Sequence, residues 1–480
     1  MAGPSLGRRT CRCCCCSLVA VIGLLCVLVG VLLPPDVGDA FSLAIQHAVP
    51  NTRLCVAGTI FLMLRDLTYC LALEVKATGA QAFTPNGVKA VYLRCFKAET
   101  SRHFAYAYGW TPGVAPSPVG LKGGASVWGP VFFSHAGYKE AVYNPKAGRP
   151  MGMFLLSNKS QLPPGVIPES VDHVLLEFDT GHPEWKARRQ LMADALTALH
   201  KDQPAQEAVV PPGVSPRDGA NDEAVQRVLG VTLFKWLFGV DVTDEIESIL
   251  EYDVLFTPAV FGGFSGGPSG GKRLAAIRAT LESKVAESSF GKSLMALATE
   301  RGMDAKARLQ EVIWIVLFAA FGGTSNFATQ TLKHILRDPS LHIPLFRRDR
   351  EAFMLEAARL YPPVGGMNFM ELRAPLEMRT VAGGVITASP GTWALTITSG
   401  ANNDPTVFED PAAFKPGRAN ADRVMTWNAE LRDIRAGTAP RGCPGTHLAI
   451  RLATAVVSYF VAGTEEALGL AQVGQGRDDL

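Results

Sequence analysis

The chain has 480 residues, enough for one large helical domain plus a targeting segment. Its formal net charge is +2 and its pI is near 8.0, which leaves no basic field for nucleic acid. Hydrophobic residues make up 48%, a globular rather than a disordered composition.

Arg8, Arg9 and Arg12 precede an apolar run at 18–33 that stops at Pro34-Pro35. A membrane span needs roughly 20 apolar residues. This run is shorter and suits the core of a signal peptide. Gly38 and Ala40 stand where a signal peptidase reads small residues, giving cleavage before Phe41. The alternative is an uncleaved anchor to the endoplasmic reticulum, with Cys13, Cys14, Cys15 and Cys16 as acylation sites. Phe41 followed by an acid-free stretch at 41–65 resembles the bipartite plastid presequence of algae with secondary plastids. A second apolar stretch, 54–64, is broken by Arg65 and Asp66 and reads as a membrane-leaning helix, not a span. Residues 1–40 are therefore expected to be a signal peptide or anchor, and 41–125 an N-terminal region with a transit segment.

Residues 111–130 are rich in Pro and Gly and read as loop, with further breaks at 202–221 and 262–271. Between them helical patterns dominate. Helices are expected at 183–200, at 222–239, over a long apolar stretch at 307–336 and at 350–363, where Pro362 and Pro363 stop the last one. The long apolar helix should be central and buried. Strand signals cluster only at 376–398. The expected class is mainly α with a small β region.

Several motifs lead nowhere. Gly266, Gly271 and Lys272 have the spacing of a phosphate-binding loop, but Arg273 stands where a Mg²⁺-binding hydroxyl is needed and no strand precedes. Asn158-Lys159-Ser160 is a glycosylation signal by spelling only. His182 and His447 lack metal-ligand spacing and read as surface or capping residues. Of ten cysteines, nine lie at or before Cys95 and one is Cys443. They form no paired CxxC motifs, so neither zinc nor a disulfide framework is indicated.

Other pieces carry chemistry. Glu356 and Arg359 share a helix face at i and i+3 and can form a bidentate lock. Arg418 follows in Phe414-Lys415-Pro416-Gly417-Arg418, from a Pro-fixed segment, and can complete a three-member network. Cys443 then lies between Arg441-Gly442 and Pro444-Gly445, with a helix starting near Thr446. A thiolate at a helix N-terminus is favoured by free N–H groups and the dipole, as suits an axial iron ligand. Trp185 and Arg189, at i and i+4, could reach a porphyrin propionate, and Arg373 is a weaker candidate for that task.

In this order, ExxR, FxPxR and Cys-x-Gly resemble the cytochrome P-450 superfamily. The resemblance implies a haem b between the long central helix and the Cys loop, with Cys443 as iron ligand, and a haem-thiolate domain over 126–480. Where the usual loop carries Phe and Gly ahead of the cysteine, this chain has Ala436 and Ala439, while Arg441 is kept. Monooxygenases of the family place an acid directly before a Thr of the central helix. Here Thr324 is preceded by Gly323, so a proton relay for O₂ scission is not expected.

The segments 168–192 and 401–418, the stretch around Gly322-Gly323, and Trp427-Asn428 resemble the allene oxide synthase, hydroperoxide lyase, divinyl ether synthase and epoxyalcohol synthase clan. That resemblance implies an enzyme acting on C18 or C20 fatty-acid hydroperoxides. The substrate brings its own activated oxygen, so no reductase or NADPH is obligatory. The clan's catalytic Asn falls at Ala319, with Asn326 two turns further as a poor substitute. That loss favours an epoxyalcohol over the dehydration product. Tyr143 falls near an aromatic that steers the radical in the clan, with core packing as the equal alternative. Three other readings stay open: a hydroperoxide lyase, a conventional NADPH- and reductase-dependent monooxygenase of lipids, and a degenerate haem binder. A membrane scaffold would rest only on residues 1–73.

Overall fold

The ends of the helices are written into the sequence. Asn221 caps the helix Asp222–Phe238, Asp304 the central helix, Asp338 the helix Pro339–Arg348 and Asp349 the helix Arg350–Leu360, each side chain accepting a backbone N–H of the first turn. In chain order the helices are α1 (His135–Tyr143), α2 (Pro183–His200), α3 (Asp222–Phe238), α4 (Ile246–Val260), α5 (Gly267–Glu287) and α6 (Ser289–Glu300). The central helix α7 (Ala305–Arg337) follows, then α8 (Pro339–Arg348), α9 (Arg350–Leu360), α10 (Thr398–Asn402), α11 (Leu431–Arg435) and α12 (Thr446–Leu468). This computed structural model describes residues 131–469 except 133, 145–146, 149–162, 169, 171–174, 176–177, 179–180, 201–206, 261–266, 364–366, 380–384, 389 and 391–392. The signal or anchor segment, the transit region and the stretch 54–64 lie outside the described residues.

The expected helices at 183–200, 222–239, 307–336 and 350–363 are all present within a few residues. Two expectations need correction. The break at 262–271 extends too far, because α5 begins at Gly267 inside the glycine stretch. A side chain at Gly271 would come within 2.4 Å of the Pro164 carbonyl oxygen, so this glycine lets α5 approach the segment at 163–167. That close packing, not phosphate binding, explains the glycine. Strands also begin earlier than 376 and are more scattered.

A four-stranded sheet runs β1 (Val131–Phe132), β6 (Trp393–Ile397), β3 (Met367–Leu372), β2 (Ala147–Gly148). β3 and β6 are antiparallel, with Met367 opposite Ile397 and Glu371 opposite Trp393, and β1 runs parallel to β6. Among the described residues two hairpins add to this sheet: β4 (Leu376–Arg379) with β5 (Val385–Ala388), and β7 (Met425–Thr426) with β8 (Ala429–Glu430). Two-residue strands carry too little alternation to be read from a sequence.

The core joins α3, α4, α5, α6, α7 and α12. Phe256 of α4 lies edge-on to Trp314 and Phe318 of α7, with centroids 5.8 and 5.3 Å away. α2 is tied to α7 by ions. Glu311 accepts the Leu175 N–H at 2.6 Å and pairs with Arg188 at 3.3 Å and with Arg308. Burial pushes the Glu311 carboxyl up, against the pull of those two guanidinium groups.

At the end of α7, His334 packs among His342, Phe353 and Phe414, and its Nδ1 lies 3.0 Å from the Tyr361 hydroxyl. Burial, then the neighbouring His342 and Arg337, push His334 down to about 4. Its folded value lies below the unfolded 6.5, so the unfolded chain binds the extra proton in between. Stability is therefore full above pH 6.5 and falls as pH drops toward about 4. Thermal midpoints measured across that window should decline, and His334→Phe should flatten the decline.

Candidate active site

Glu356 is the hub of a buried network. Its Oε1 accepts from Arg359 NH2 at 2.8 Å, from Arg418 Nε at 2.9 Å and from the Lys415 backbone at 2.9 Å. Its Oε2 accepts from Arg359 Nε at 3.0 Å. Arg359 is fully buried, and donates also to the carbonyls of Asn402 and Ala413 at 2.8 and 3.1 Å. Burial alone would raise the Glu356 carboxyl, but the Arg359 fork and the other donors outweigh it and hold it low. The ExxR and FxPxR motifs thus meet as the sequence implies, and tie α9 to the irregular segment that leads toward Cys443.

Trp427 and Asn428 form the two-residue turn between β7 and β8, with φ of 47° and 70°. Positive φ at both central positions is the signature of a type I′ hairpin turn, easy for Asn and strained for Trp. The strain has a use. The Trp427 carbonyl accepts the Cys443 N–H at 2.9 Å, and the Trp427 ring meets Phe327 of α7 edge-on at 6.1 Å. One residue therefore pins the cysteine loop to the central helix. Trp427→Ala should cost about 2 kcal/mol, below the 3–5 of a fully buried Trp because this ring is half-buried. Asn428→Gly should be neutral or stabilising, since Gly takes the same φ freely. Thermal unfolding of both variants checks the contrast.

Cys443 precedes α12, and the Gly445 N–H points at its sulfur from 3.3 Å. Burial pushes the thiol up, while that N–H and the Arg189 charge pull it down. Burial wins, so the helix terminus does not by itself make a resting thiolate; a coordinated cation would. The loop before it is close-packed. A side chain at Gly442 would come within 2.9 Å of both Ala439 and Ile434. Ala439 thus fills space in the turn of the loop.

Trp185 and Arg189 share a face of α2 as their spacing predicts. The Arg189 guanidinium lies 5.1 Å from the Trp185 ring centroid and donates to the Gly442 carbonyl. Arg441 lies 5.4 Å from the same ring and donates to the Phe178 carbonyl at 2.8 Å. Two guanidinium groups thus converge on one indole beside the cysteine loop. Arg373, by contrast, is exposed on the turn between β3 and β4.

The middle of α7 is not an ordinary α-helix. Val316–Phe321 form a π-helical turn, which leads into Gly322-Gly323. Such turns widen a helix and are frequent at functional sites. Phe318, Ala319, Ala320, Gly322 and Gly323 are only partly buried, although Thr324 beside them is buried. Asn326 does not substitute for the missing amide, because its side chain is turned to the Pro363 carbonyl at 3.4 Å. Tyr143 is engaged elsewhere too. Its hydroxyl donates to Asp433 at 2.7 Å and accepts from the Glu430 N–H at 3.2 Å, an arrangement of the packing kind. Asp253 of α4, which no motif marks, is buried against this turn: a Cβ on Gly322 would lie 3.1 Å from its Oδ1. No sequence signal flags it, since the three acids of α4, Glu247, Glu251 and Asp253, have no spacing that singles out one of them.

The helical domain combines a buried Glu–Arg–Arg hub with a cysteine loop pinned to the central helix. The fold is that of the cytochromes P-450. A P-450 haem domain from Tepidiphilus thermophilus superposes with a TM-score of 0.50 at 12% identity, covering 76% of this chain and 87% of that one. The full-length CYP116B46 of the same organism gives 0.53 at 14% identity, covering 76% and 48%. In sequence, the dimethylnonatriene synthase of Arabidopsis thaliana is 29% identical over 115 residues, 24% of this chain. That match spans only 21% of the relative's length. A scan against protein-family models gives no match.

This fold implies a haem whose iron takes a cysteine thiolate, and the residues present fit one. Cys443 is the one cysteine among the described residues. Arg189 and Arg441 donate to neutral carbonyls, and guanidinium pairs of this kind suit the two carboxylates of the porphyrin.

Proposed function

We propose that this chain is a haem-thiolate enzyme that rearranges fatty-acid hydroperoxides without O₂, NADPH or a reductase. Its main product is an epoxyalcohol, with dehydration to an allene oxide as the competing branch. The widened turn of α7 carries this reading. From Phe318 to Gly323 the helix offers apolar side chains and glycine, with no acid or amide of its own beside Thr324. Reductive cleavage of O₂ needs protons delivered at that place. A hydroperoxide needs none from the enzyme, because it arrives with its O–O bond formed.

Haem, when bound, supplies the one-electron chemistry at the peroxide. The chain's residues do the rest. Cys443 would supply the sulfur that holds the iron, and the Gly445 N–H donates to that sulfur. Arg189 and Arg441 hold the carboxylates of the porphyrin, with Trp185 between them. Phe318, Ala319 and Ala320 wall the reacting carbons with apolar surface, which keeps water away from a radical. Ala319 cannot hydrogen-bond the substrate, so nothing on α7 steers the reaction to dehydration. In the same reading residues 1–40 and the stretch that follows direct the protein to a plastid or a membrane.

Haem-loaded protein mixed with linoleic acid hydroperoxide should abolish the conjugated-diene absorbance with no NADPH present. Mass spectrometry should then find epoxyalcohol in excess of ketol from allene oxide or of short aldehydes from a lyase. The buried Asp253 beside Gly322 favours a second reading, an NADPH- and reductase-dependent lipid monooxygenase, because a carboxylate there can pass protons toward Thr324. Hydroperoxide that persists while NADPH and a reductase drive lipid oxidation would establish that second reading instead.

A further inference from the structure

Asp253 sits beside Phe318–Gly323, the stretch of the central helix that carries no acid or amide. It lies on α4, one helical turn before Phe256, whose ring packs on Phe318 of the π-turn. Residues three apart share a helix face, so Asp253 and Phe256 address the same stretch of α7. Its Oδ1 would lie 3.1 Å from a Cβ on Gly322, a tight contact that would press on the carboxylate by a few tenths of an ångström. Gly322 and Gly323 are partly buried and follow Ala319 by three and four residues. The neighbouring Tyr252 is held by Arg278, which donates to its hydroxyl at 3.3 Å and to the carbonyls of Val166 and Gly165. This part of α4 is thereby fixed in position.

We propose that Asp253 is the oxygen-recognising residue of the site: its carboxylate accepts the O–H of the bound substrate beside Gly322. It stands in, from a neighbouring helix, for the polar side chains that α7 lacks at Ala319 and Gly323. A carboxylate is costly to bury unless its oxygens are used. It has about four acceptor directions over two oxygens, enough for a protein partner and a ligand hydroxyl together. A hydroperoxide or a hydroxylated fatty acid donates one such O–H, whereas a plain fatty acid chain has none at that position. The glycine at 322 then has a part in specificity, since a side chain there would crowd the carboxylate. The inference rests on the hydroperoxide reading for the identity of its substrate, but not for its test.

The test is a ratio of affinities. Haem-loaded protein is titrated by calorimetry with linoleic acid and with the alcohol made by reducing linoleic acid hydroperoxide. Neither probe turns over without reductant. A hydrogen bond to a charged acceptor should favour the alcohol by about 10-fold or more. Asp253→Ala should bring that ratio close to one, and Gly322→Ala, which crowds the carboxylate, should lower it. Asp253→Asn, which keeps the volume and one acceptor oxygen, should leave a few-fold preference. A merely structural Asp253 would weaken both probes equally and leave the ratio untouched. A wild-type ratio near one, or a ratio unchanged in the Ala variants, overturns the proposal. The thiolate-type CO-difference spectrum shows that each variant is folded around its haem. If the alcohol is preferred through Asp253 but the hydroperoxide is not consumed without NADPH, the functional reading fails and this one stands. If the hydroperoxide is consumed without NADPH but the alcohol is not preferred, this proposal fails and the functional reading stands.

Discussion

Cys443→Ser should abolish the thiolate-type CO-difference spectrum and, on the proposed function, lower turnover of linoleic acid hydroperoxide by more than about two orders of magnitude. Loss of a partner outside the ligand shell typically costs about 10–100-fold in metal affinity or activity, and loss of the ligand itself must exceed that. Serine keeps the size of the residue, so the loop can still form through the Cys443 N–H to the Trp427 carbonyl, a backbone bond the substitution leaves alone. What disappears is the soft anionic donor. Arg189→Ala is the graded companion. It removes one guanidinium beside Trp185 and its bond to the Gly442 carbonyl, but leaves the sulfur. Haem should be retained more weakly, by about 10-fold, with the thiolate-type spectrum intact. If the serine variant kept that spectrum, Cys443 would not be the ligand.

How far the sequence discloses this site depends on how local each feature is. Glu356 and Arg359 lie one turn apart on one helix, so their pairing follows from helix geometry, and the structure shows it at 2.8 and 3.0 Å. Trp185 and Arg189 are legible for the same reason. The central helix is legible as a long apolar segment, yet its π-turn is not, because a local change of hydrogen-bond register leaves composition unaltered. Asn326 and Tyr143 fall near the chemistry only by analogy of position. Their side chains turn instead to Pro363 and to Asp433, choices made by tertiary neighbours that no spacing encodes. Asp253 is the reverse case: invisible in its own segment, and brought to Gly322 only by the packing of α4 on α7.

Glu356→Ala should destabilise the fold by about 3–5 kcal/mol, the cost of leaving one member of a buried ion pair uncompensated. Total stabilities are of the order of 5–15 kcal/mol, so the variant should be largely unable to retain haem at physiological temperature. The reason is Arg359, which is fully buried and would lose both of its charged contacts at once. The Lys415 N–H and Arg418 would lose their acceptor with it. Arg418→Ala should cost less, about 1–3 kcal/mol. Glu356 would keep the Arg359 fork and the Lys415 N–H, although the carbonyls of Asp410 and Ala413 would lose donors. Because both changes act on one hub, the double variant should be little worse than Glu356→Ala alone. Acid should imitate the substitution. The folded Glu356 carboxyl titrates below its unfolded 4.5, so its contribution is complete above that value and is lost as pH falls through the lower folded one. Urea midpoints for the two single variants and the double one, taken at neutral pH and again in acid, measure each of these quantities. Equal costs for Arg418→Ala and Glu356→Ala would remove Glu356 from the centre of the network.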